Sequence, residues 1–401
     1  MKKLNLSKKV INLSPSPTLR ISALAKELQS KGIDVVGLTA GEPNFPTPQF
    51  IKDEAIKAIK DNFSKYTANP GMPELRKAIA DKLKRDNNFE CSSENIIVTS
   101  GAKHAIFNAL QTICNKGDEV IIGAPYWVSY PEMIKLVDAV PIIINTTENT
   151  KYKVTPAQLL KAITKKTKAF IFSSPANPTG NIYTESELRE IAKIVKKYNI
   201  FIIADEIYEK LLYDRNRHFS IGSIEEIKEQ VLTINGLSKS FAMTGWRLGY
   251  LCANKNIITL CDNLQGQMTS NASSISQKAA IEALNNRQSY IDIETMRKVF
   301  EERRNYLYKI VSSIPHITCS IPEGAFFLFP NVSNYLGKKF KGKALKTIDQ
   351  LSEYFLQVEK LAFIPGSGFG SKTCIRLSYA VSMEELKIAG ERLINGFKNL
   401  K

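Results

Sequence analysis

Residues 169–205, AFIFSSPANPTGNIYTESELREIAKIVKKYNIFIIAD, contain two short apolar runs separated by an amphipathic helical pattern. The runs AFIFS and IFIIAD are rich in β-branched and aromatic residues, as strands are. Thr184, followed three residues later by Glu187, is a capping-box signal for the start of the helix between them. A strand, a helix and a second strand in this order predict parallel strands joined by a crossover helix.

The same alternation extends from residue 95 to residue 253. The other apolar runs are NIIVT, EVIIG, VPIIIN, VLTIN and RLGYLCA. Thr155, followed by Pro156 and Gln158, marks another helix start of the capping-box kind. Seven runs with helices between them predict an α/β fold, in which a large domain has a seven-stranded, mostly parallel sheet flanked by helices.

A different pattern follows the last of these runs and predicts a smaller α+β domain. A long helix is predicted through QKAAIEALNN and IETMRKVFEERRNYLYKIVSS, before the runs GAFFLFPNV and CIRLSYA and a last helix starting at Ser382 with Glu385. The N-terminal segment is rich in proline and short apolar pieces, so we expect it to pack on this domain. The predicted boundaries are 49–290 for the large domain, and 1–48 with 291–401 for the small one.

Composition restricts the classes of function. The net charge of +16 comes from 55 basic and 39 acidic residues, but the lysines are spread along amphipathic helices, which predicts no nucleic-acid partner. The six cysteines lack a CxxC spacing and the three histidines lie outside metal-type motifs, so no metal site is predicted. Because no continuous apolar run marks a signal or a membrane anchor, we expect a cytoplasmic protein without a membrane partner.

Polar residues follow several predicted strands, at the edge of the sheet where open α/β proteins bind ligands. NIIVT leads into SGAKHAIFNAL, a turn before a helix that could bind a phosphate or merely connect two elements. Asn177 follows AFIFS between two prolines, and Asp205 ends IFIIAD three residues before Tyr208. A rigid turn and a helix cap are the alternative explanations for these residues.

Two cations, Lys239 and Arg247, follow VLTIN in NGLSKSFAMTGWRLGY, where few other charges occur. Removing such charges from water is unfavourable unless they have a partner or a chemical task. A strand-end lysine with a lowered pKa suits imine chemistry. Together with a phosphate-binding turn and a strand-end acid, this lysine indicates the cofactor pyridoxal 5'-phosphate (PLP).

The sequence closely resembles the class I (fold type I) PLP-dependent aminotransferases, and within them the bacterial aspartate aminotransferase branch. The resemblance covers nearly the whole chain and its motifs are highly specific in this order. They are SPSPTLRISALAKEL, LTAGEPNFPTP, KYTANPGMPELR, TSGAKHAIFNAL, APYWVSYPEM, SPANPTG, DEIYEKLLY, SKSFAMTGWRLGY and RLSYA.

This resemblance implies roles around the cofactor ring. Lys239 matches the lysine that binds PLP covalently and then moves a proton on the substrate. Asp205 matches the partner of the pyridine nitrogen. Tyr208 and Asn177 match hydrogen-bond donors to the phenolic oxygen, and Trp127 matches the aromatic residue that stacks on the ring.

The phosphate of the cofactor is expected to bind the backbone of Gly101 and Ala102 and the side chain of Arg247. Tyr66 matches a residue that reaches the phosphate from the neighbouring subunit. The resemblance therefore implies a homodimer with shared active sites.

The substrate is expected to bind Arg376, which matches the arginine on the α-carboxylate, beside Gly41, Trp127 and Asn177. At Gly41, a side chain would crowd the carboxylate. Lys103 and Thr18 match the positions that contact the distal carboxylate in the aspartate-specific branch.

L-Aspartate and 2-oxoglutarate are accordingly the expected substrates, in a ping-pong reaction. Prephenate or aromatic aminotransfer is an alternative, weakened because Ser14 and Leu13 stand where prephenate enzymes use a basic residue. A carbon–sulfur lyase on the same scaffold is a second alternative. A regulator with an aminotransferase-like domain is a third, but few residues precede the first motif to form a DNA-binding module.

Overall fold

The computed structural model describes residues 6–13 and 17–401, except for the side chains of residues 17–20. Its α-helices in chain order are α1 (Lys8–Ile11), α2 (Pro17–Ser30), α3 (Gln49–Lys60), α4 (Pro73–Asn87), α5 (Ala102–Ile113), α6 (Tyr130–Leu136), α7 (Pro156–Ala162), α8 (Glu185–Tyr198), α9 (Lys255–Met268), α10 (Ser274–Asn285), α11 (Gln288–Ser313), α12 (Ile348–Tyr354) and α13 (Met383–Lys398). Its strands are β1 (Val36–Gly37), β2 (Ile96–Thr99), β3 (Glu119–Ala124), β4 (Val140–Asn145), β5 (Thr167–Ser173), β6 (Phe201–Asp205), β7 (Val231–Gly236), β8 (Gly249–Cys252), β9 (Phe327–Leu328), β10 (Lys339–Phe340), β11 (Lys343–Ala344), β12 (Leu361–Ala362), β13 (Ile364–Pro365) and β14 (Ile375–Ser378). Among the described helices, none is long and apolar enough to cross a membrane.

The central sheet has seven strands in the spatial order β2-β8-β7-β6-β5-β3-β4. Strand β8 is antiparallel to both of its neighbours, and every other pair in this sheet is parallel. The chain between β7 and β8 contains a short 3-10 turn, Thr244–Trp246, instead of a crossover helix, so β8 returns antiparallel. The predicted seven-stranded, mostly parallel sheet is confirmed.

Helices cover both faces of this sheet. On one face, Ile122 and Ile203 pack in a cluster with residues of α5 and α9. On the other face, Ile121 and Ile202 pack in a cluster with residues of α8. Burial on both faces explains why the central strands are nearly continuous apolar runs in the sequence.

The predicted capping boxes form at the starts of α7, α8 and α13. At α8, the Thr184 hydroxyl oxygen accepts from the Glu187 N–H at 3.3 Å, and the Glu187 carboxylate accepts from the Thr184 N–H at 2.7 Å. The long helix expected after the sheet is instead two helices, α10 and α11. Asn286 between them has an extended backbone, and its side-chain oxygen accepts from the Gln288 N–H at 2.9 Å, which starts the second helix.

Phe300, Phe326 and Phe355 of the C-terminal region pack in an apolar core that also includes Leu38 and Tyr208. Strands β13, β14 and β9 form an antiparallel sheet beside it. Strand β1 pairs in parallel with β12, and Arg392 donates to the Asp34 carbonyl at 2.8 Å. These contacts tie the N-terminal segment to the C-terminal region, while the exact domain boundaries stay a prediction.

Candidate active site

A cavity of about 640 Å³ lies at the carboxyl ends of the parallel strands. It is lined by residues that end or follow β5, β6 and β7, by α2, and by β14. Most of the residues expected to bind cofactor or substrate line this one space. They are Gly41, Ala102, Lys103, Trp127, Asn177, Asp205, Tyr208, Lys239, Arg247 and Arg376.

Asp205 is the last residue of β6, and its carboxylate is buried at the floor of the cavity. One oxygen accepts from the Tyr130 hydroxyl at 2.7 Å, and the other accepts from the Ile207 N–H at 3.3 Å. Burial raises the pKa of Asp205 to about 6, against the opposing effect of these two hydrogen bonds. The group therefore remains mainly an anion at pH 7, poised to pair with a cation.

Arg376 on β14 is almost fully buried, yet its guanidinium lacks an acid partner in the part of the chain that the structure describes. It donates to the Asn177 side-chain oxygen at 3.0 Å and to the Thr39 carbonyl at 3.1 Å. Its Nε has no hydrogen-bond partner among the described residues. Burial lowers its pKa to about 10, so the group is still charged at pH 7 and suits an anionic ligand.

Tyr208 lies beside this arginine and is buried. Burial raises the pKa of its hydroxyl, and the charge of Arg376 and the hydrogen bond with Asn177 act in the opposite direction. The hydroxyl therefore stays protonated at neutral pH and can act as a donor.

Lys239 follows β7 and is half-buried. Its amine donates to the Gly41 carbonyl and lies 5.8 Å from the centre of the Tyr208 ring. Burial lowers the pKa of Lys239 to about 8, although Glu42 opposes the shift. A large fraction of the amine is therefore neutral near pH 8, as a nucleophile requires.

Arg247 is exposed, so the sequence-based expectation that both cations leave water holds only for Lys239. Its guanidinium contacts the turn that follows β2, where Gly101 has a φ of 89°. This positive φ favours glycine, and a Cβ added at Gly101 would lie 2.5 Å from the Arg247 Nη2 atom, so the guanidinium would have to move. The turn leads into α5, whose free N–H groups and positive helix end suit a phosphate.

Lys103 and Trp127 lie on the side of the cavity next to this turn. The Lys103 ammonium is 5.0 Å from the centre of the Trp127 ring. Partial loss of water and the charge of Arg247 lower the pKa of Lys103.

Among the predicted residues that the structure describes in full, Gly101 and Tyr66 do not line this cavity. Tyr66 is 88% exposed and does not line the cavity of its own chain. Thr18 lies in α2, but its side chain is outside the described part, as is the whole of Ser14. A Cβ added at Gly41 would meet no protein atom within 4 Å, so this position faces open space in the cavity.

Two residues of the site were not predicted. Tyr130 lies in the motif APYWVSYPEM, but its contact with Asp205 joins residues 75 positions apart. Glu42 accepts from the Thr244 hydroxyl at 2.6 Å and favours the charged form of Lys239. The only signal in the sequence was that Tyr130 lies in the motif APYWVSYPEM and Glu42 in the motif LTAGEPNFPTP.

A buried ionic cluster adjoins Asp205. His218 lies 3.1 Å from Glu206, and these two groups with Glu209 offer possible metal-ligand atoms within 4.8 Å of one another. The Glu209 carboxylate already binds Lys82 and the Asn87 amide, and its pKa is lowered to about 2, mainly by Lys82 against the effect of burial. In this structure the Lys82 ammonium therefore balances the charge of the Glu209 carboxylate.

The donor set of the cavity fits PLP. Lys239 offers an amine of lowered pKa, Asp205 an anion, and the Gly101 turn with Arg247 a cradle that a Cβ would fill. These match the aldehyde, the ring nitrogen and the phosphate of the cofactor.

Comparisons with known proteins agree with this geometry. The family model for class I and II aminotransferases matches residues 33–393. An aspartate aminotransferase of Bacillus sp. (strain YM-2) is 49% identical over 389 residues, which cover 97% of this chain and 98% of that protein. The aspartate aminotransferase structure from Rhizobium meliloti has a TM-score of 0.96 at 35% identity, over 100% of both chains. The Thermus thermophilus aspartate aminotransferase, solved with maleate, has a TM-score of 0.93 at 37% identity, over 98% of this chain and 100% of that one. This chain therefore belongs to the class I and II aminotransferases and is a PLP-dependent enzyme.

Proposed function

We propose that this enzyme moves the amino group of L-aspartate to 2-oxoglutarate. The observation that carries the proposal is the pair of cations, Arg376 and Lys103, that line the cavity into which Lys239 projects. A substrate with two carboxylates can pair with both cations, whereas an aromatic amino acid has an anion for only one. The relatives named above are aspartate aminotransferases, and maleate, which one of them binds, is a four-carbon dicarboxylate.

Arg376 binds the α-carboxylate in this proposal. Its guanidinium presents parallel donors that match a carboxylate in two places, and the unpartnered Nε is free to take part. Asn177 and the Thr39 carbonyl fix the plane of the guanidinium. Gly41 leaves room beside it. The substrate is thereby oriented before any bond changes.

PLP supplies an electron sink that stabilises negative charge at the substrate Cα. Asp205 would hold the positive charge of the ring nitrogen, which strengthens that sink. Tyr208 and Asn177 would donate to the phenolic oxygen, and Trp127 would pack against the ring. Lys239 would accept and carry the proton of the substrate Cα, which needs a neutral amine and therefore the lowered pKa.

In the same proposal the phosphate binds the Ala102 N–H at the start of α5 and the Arg247 guanidinium, next to Gly101, whose own N–H donates to the Thr99 carbonyl at 2.8 Å. A phosphate held at the start of α5 gains from several N–H donors and from the helix dipole. These contacts would hold the cofactor independently of its attachment to Lys239.

An absorbance titration tests the substrate assignment. Addition of L-aspartate to the PLP-loaded protein should bleach the cofactor band and release oxaloacetate, and 2-oxoglutarate should restore the band. Absence of a change with aspartate or glutamate, in protein that still carries PLP, would contradict the assignment. A response to prephenate or aromatic amino acids, or release of a thiol, would then identify one of the alternatives.

Replacing Lys103 with leucine should raise KM for L-aspartate about tenfold, because one charge pair with the distal carboxylate is lost. KM for L-phenylalanine should stay the same or fall, because that substrate has no second carboxylate. Steady-state kinetics with both amino donors measure the difference. Lys103→Arg keeps the charge and is the matched control; equal changes for both donors in Lys103→Leu would contradict the role.

We further propose that the enzyme is a cytoplasmic protein. We also propose that it forms a homodimer in which Tyr66 of one subunit binds the phosphate of the cofactor in the other. The support is that Tyr66 is 88% exposed and does not line the cavity of its own chain. In a symmetric dimer, this exposed tyrosine could contact the cavity of the second copy and bind the phosphate there.

A mixed dimer tests this arrangement. Tyr66→Ala should weaken PLP binding about tenfold, the effect of one lost hydrogen bond to a charged group. A dimer formed from one Tyr66→Ala chain and one Lys239→Ala chain should regain one site of normal affinity, because the intact Lys239 then meets the intact Tyr66 of the other chain. No recovery in the mixed dimer would place Tyr66 in its own subunit's site.

A further inference from the structure

The phosphate-binding turn is held by a histidine that the cofactor roles do not include. His104 is the third residue of α5, and its Nδ1 accepts from the Ser100 N–H at 3.2 Å. On the other side of the same residue, the Ser100 carbonyl accepts from the Arg247 Nη2 at 3.3 Å. Ser100 immediately precedes Gly101, so its backbone is fixed from two directions where the turn begins.

The protonation state of His104 follows from this contact. Because Nδ1 accepts a hydrogen bond, it carries a lone pair, and the ring proton of the neutral form lies on Nε2. Nε2 is buried and has no hydrogen-bond partner within the described residues. Burial lowers the pKa of His104 below its ordinary value, so the ring is neutral at pH 7 and can accept at Nδ1.

A neutral acceptor has an advantage at this position. Near the third residue of a helix, the usual acceptor for a free N–H is the side chain of glutamate or glutamine. A carboxylate so close to the turn would repel a phosphate dianion, and the imidazole makes the same kind of bond without a negative charge. The residue type thus matches a turn that has to bind an anion.

We propose that His104 is a positioning residue for the cofactor phosphate. Its neutral ring fixes the Ser100 backbone, and through it the turn that directs the Ala102 N–H, while the Gly101 N–H donates to the Thr99 carbonyl at 2.8 Å. The inference rests on the phosphate site of the proposed function. It differs from a purely structural helix cap because it affects ligands that carry a phosphate and spares those that do not.

Binding of PLP and of pyridoxal, which lacks the phosphate, tests the inference. Dissociation constants would be measured by absorbance titration of the full-length protein freed of cofactor. His104→Leu removes the acceptor and should weaken PLP binding about tenfold while changing pyridoxal binding less than about twofold. His104→Asn keeps a neutral acceptor near the Nδ1 position and should restore most of the affinity.

His104→Asp has the shape of the asparagine variant but adds a negative charge. It should weaken PLP binding relative to His104→Asn, with the deficit shrinking at high salt, and leave pyridoxal binding unchanged. Comparison of His104→Asn with His104→Asp tests the role of His104 at the phosphate site even if His104→Leu fails to fold. Gln158→Leu is the matched control, because Gln158 accepts from the Thr155 N–H at 3.0 Å at the start of α7, so the variant loses a comparable bond away from the cavity.

Equal changes for PLP and pyridoxal in the His104 variants, or none for either, would overturn the inference while leaving the proposed function intact. A wild-type protein that binds neither ligand would overturn both.

Discussion

Replacing Lys239 with alanine is expected to lower kcat for transamination of L-aspartate by about 10⁴-fold or more. In the proposed mechanism the variant loses the group that carries the proton on the substrate, a role worth up to about 10⁴-fold by itself. It also loses the proposed point of covalent attachment of the cofactor. The phosphate turn and Asp205 are untouched, so PLP should still bind, and absorbance should show it bound without a lysine linkage.

The same lysine predicts a pH dependence for cofactor attachment. Its pKa is lowered to about 8, below the ordinary lysine value of about 10.4. The neutral fraction therefore grows as pH rises through 8, and the rate at which pyridoxal attaches to the cofactor-free protein should rise over the same range. Stopped-flow absorbance measures this rate; a rise that begins only near pH 10 would show that burial does not lower the pKa.

Lys228→Ala is the control for Lys239→Ala. Lys228 is exposed and pairs with Glu225 on the surface, so its loss should leave kcat unchanged. Activity within about tenfold of wild type in Lys239→Ala would contradict the assigned role. Restoration of part of the activity by added small primary amines would support it, because such an amine can enter the vacated space and carry the proton.

The parts of the fold and site that depend on local patterns could be predicted from the sequence. The central strands are apolar on both faces because helices cover both faces, and they therefore appear in the sequence as nearly continuous apolar runs. Asp205 and Lys239 follow such strands directly, so their place at the sheet edge required only the strands. The capping box at Thr184 also depends on residues that are close in sequence.

Contacts between distant residues could not be predicted in the same way. Tyr130 binds Asp205 across 75 residues, and Lys82 binds Glu209 across 127. Each pair depends on how the elements pack, and a single sequence carries no sign of that. The break between α10 and α11 was missed for a different reason, because Asn286 interrupts a helical pattern that continues on both sides.

Replacing Asp205 with asparagine should lower kcat by about 10³-fold, the size of effect seen when one preorganised electrostatic group is removed from an active site. The amide keeps the size and the oxygen that accepts from Ile207, but it cannot hold the positive charge of the ring nitrogen. Tyr130→Phe leaves the charge and removes one hydrogen bond, so it should lose only about tenfold. Single-turnover measurements with saturating L-aspartate compare the rates of the Asp205→Asn and Tyr130→Phe variants directly.

The free energy of unfolding of the Asp205→Asn variant should rise, although its activity falls. Folding raises the pKa of Asp205 from about 3.9 to about 6, so the folded protein binds more protons than the unfolded chain between these values. This group therefore makes the folded state less stable as pH rises through the window from about 4 to 6, and the penalty persists at pH 7. Without bound cofactor, Asp205→Asn should be more stable than wild type by on the order of 2 kcal/mol at pH 7, and show no such gain near pH 4.

Chemical denaturation of the cofactor-free proteins at the two pH values measures that difference. A variant that loses both activity and stability at pH 7 would indicate that the carboxylate is needed for folding. Its loss of activity would then not demonstrate a role in catalysis. A variant that loses activity and gains stability would show that the buried charge is retained for the reaction. The second outcome is the expected one, because no cation in the described part of the chain lies in direct contact with Asp205 to balance it. In the proposed mechanism, the ring nitrogen of PLP supplies that balance.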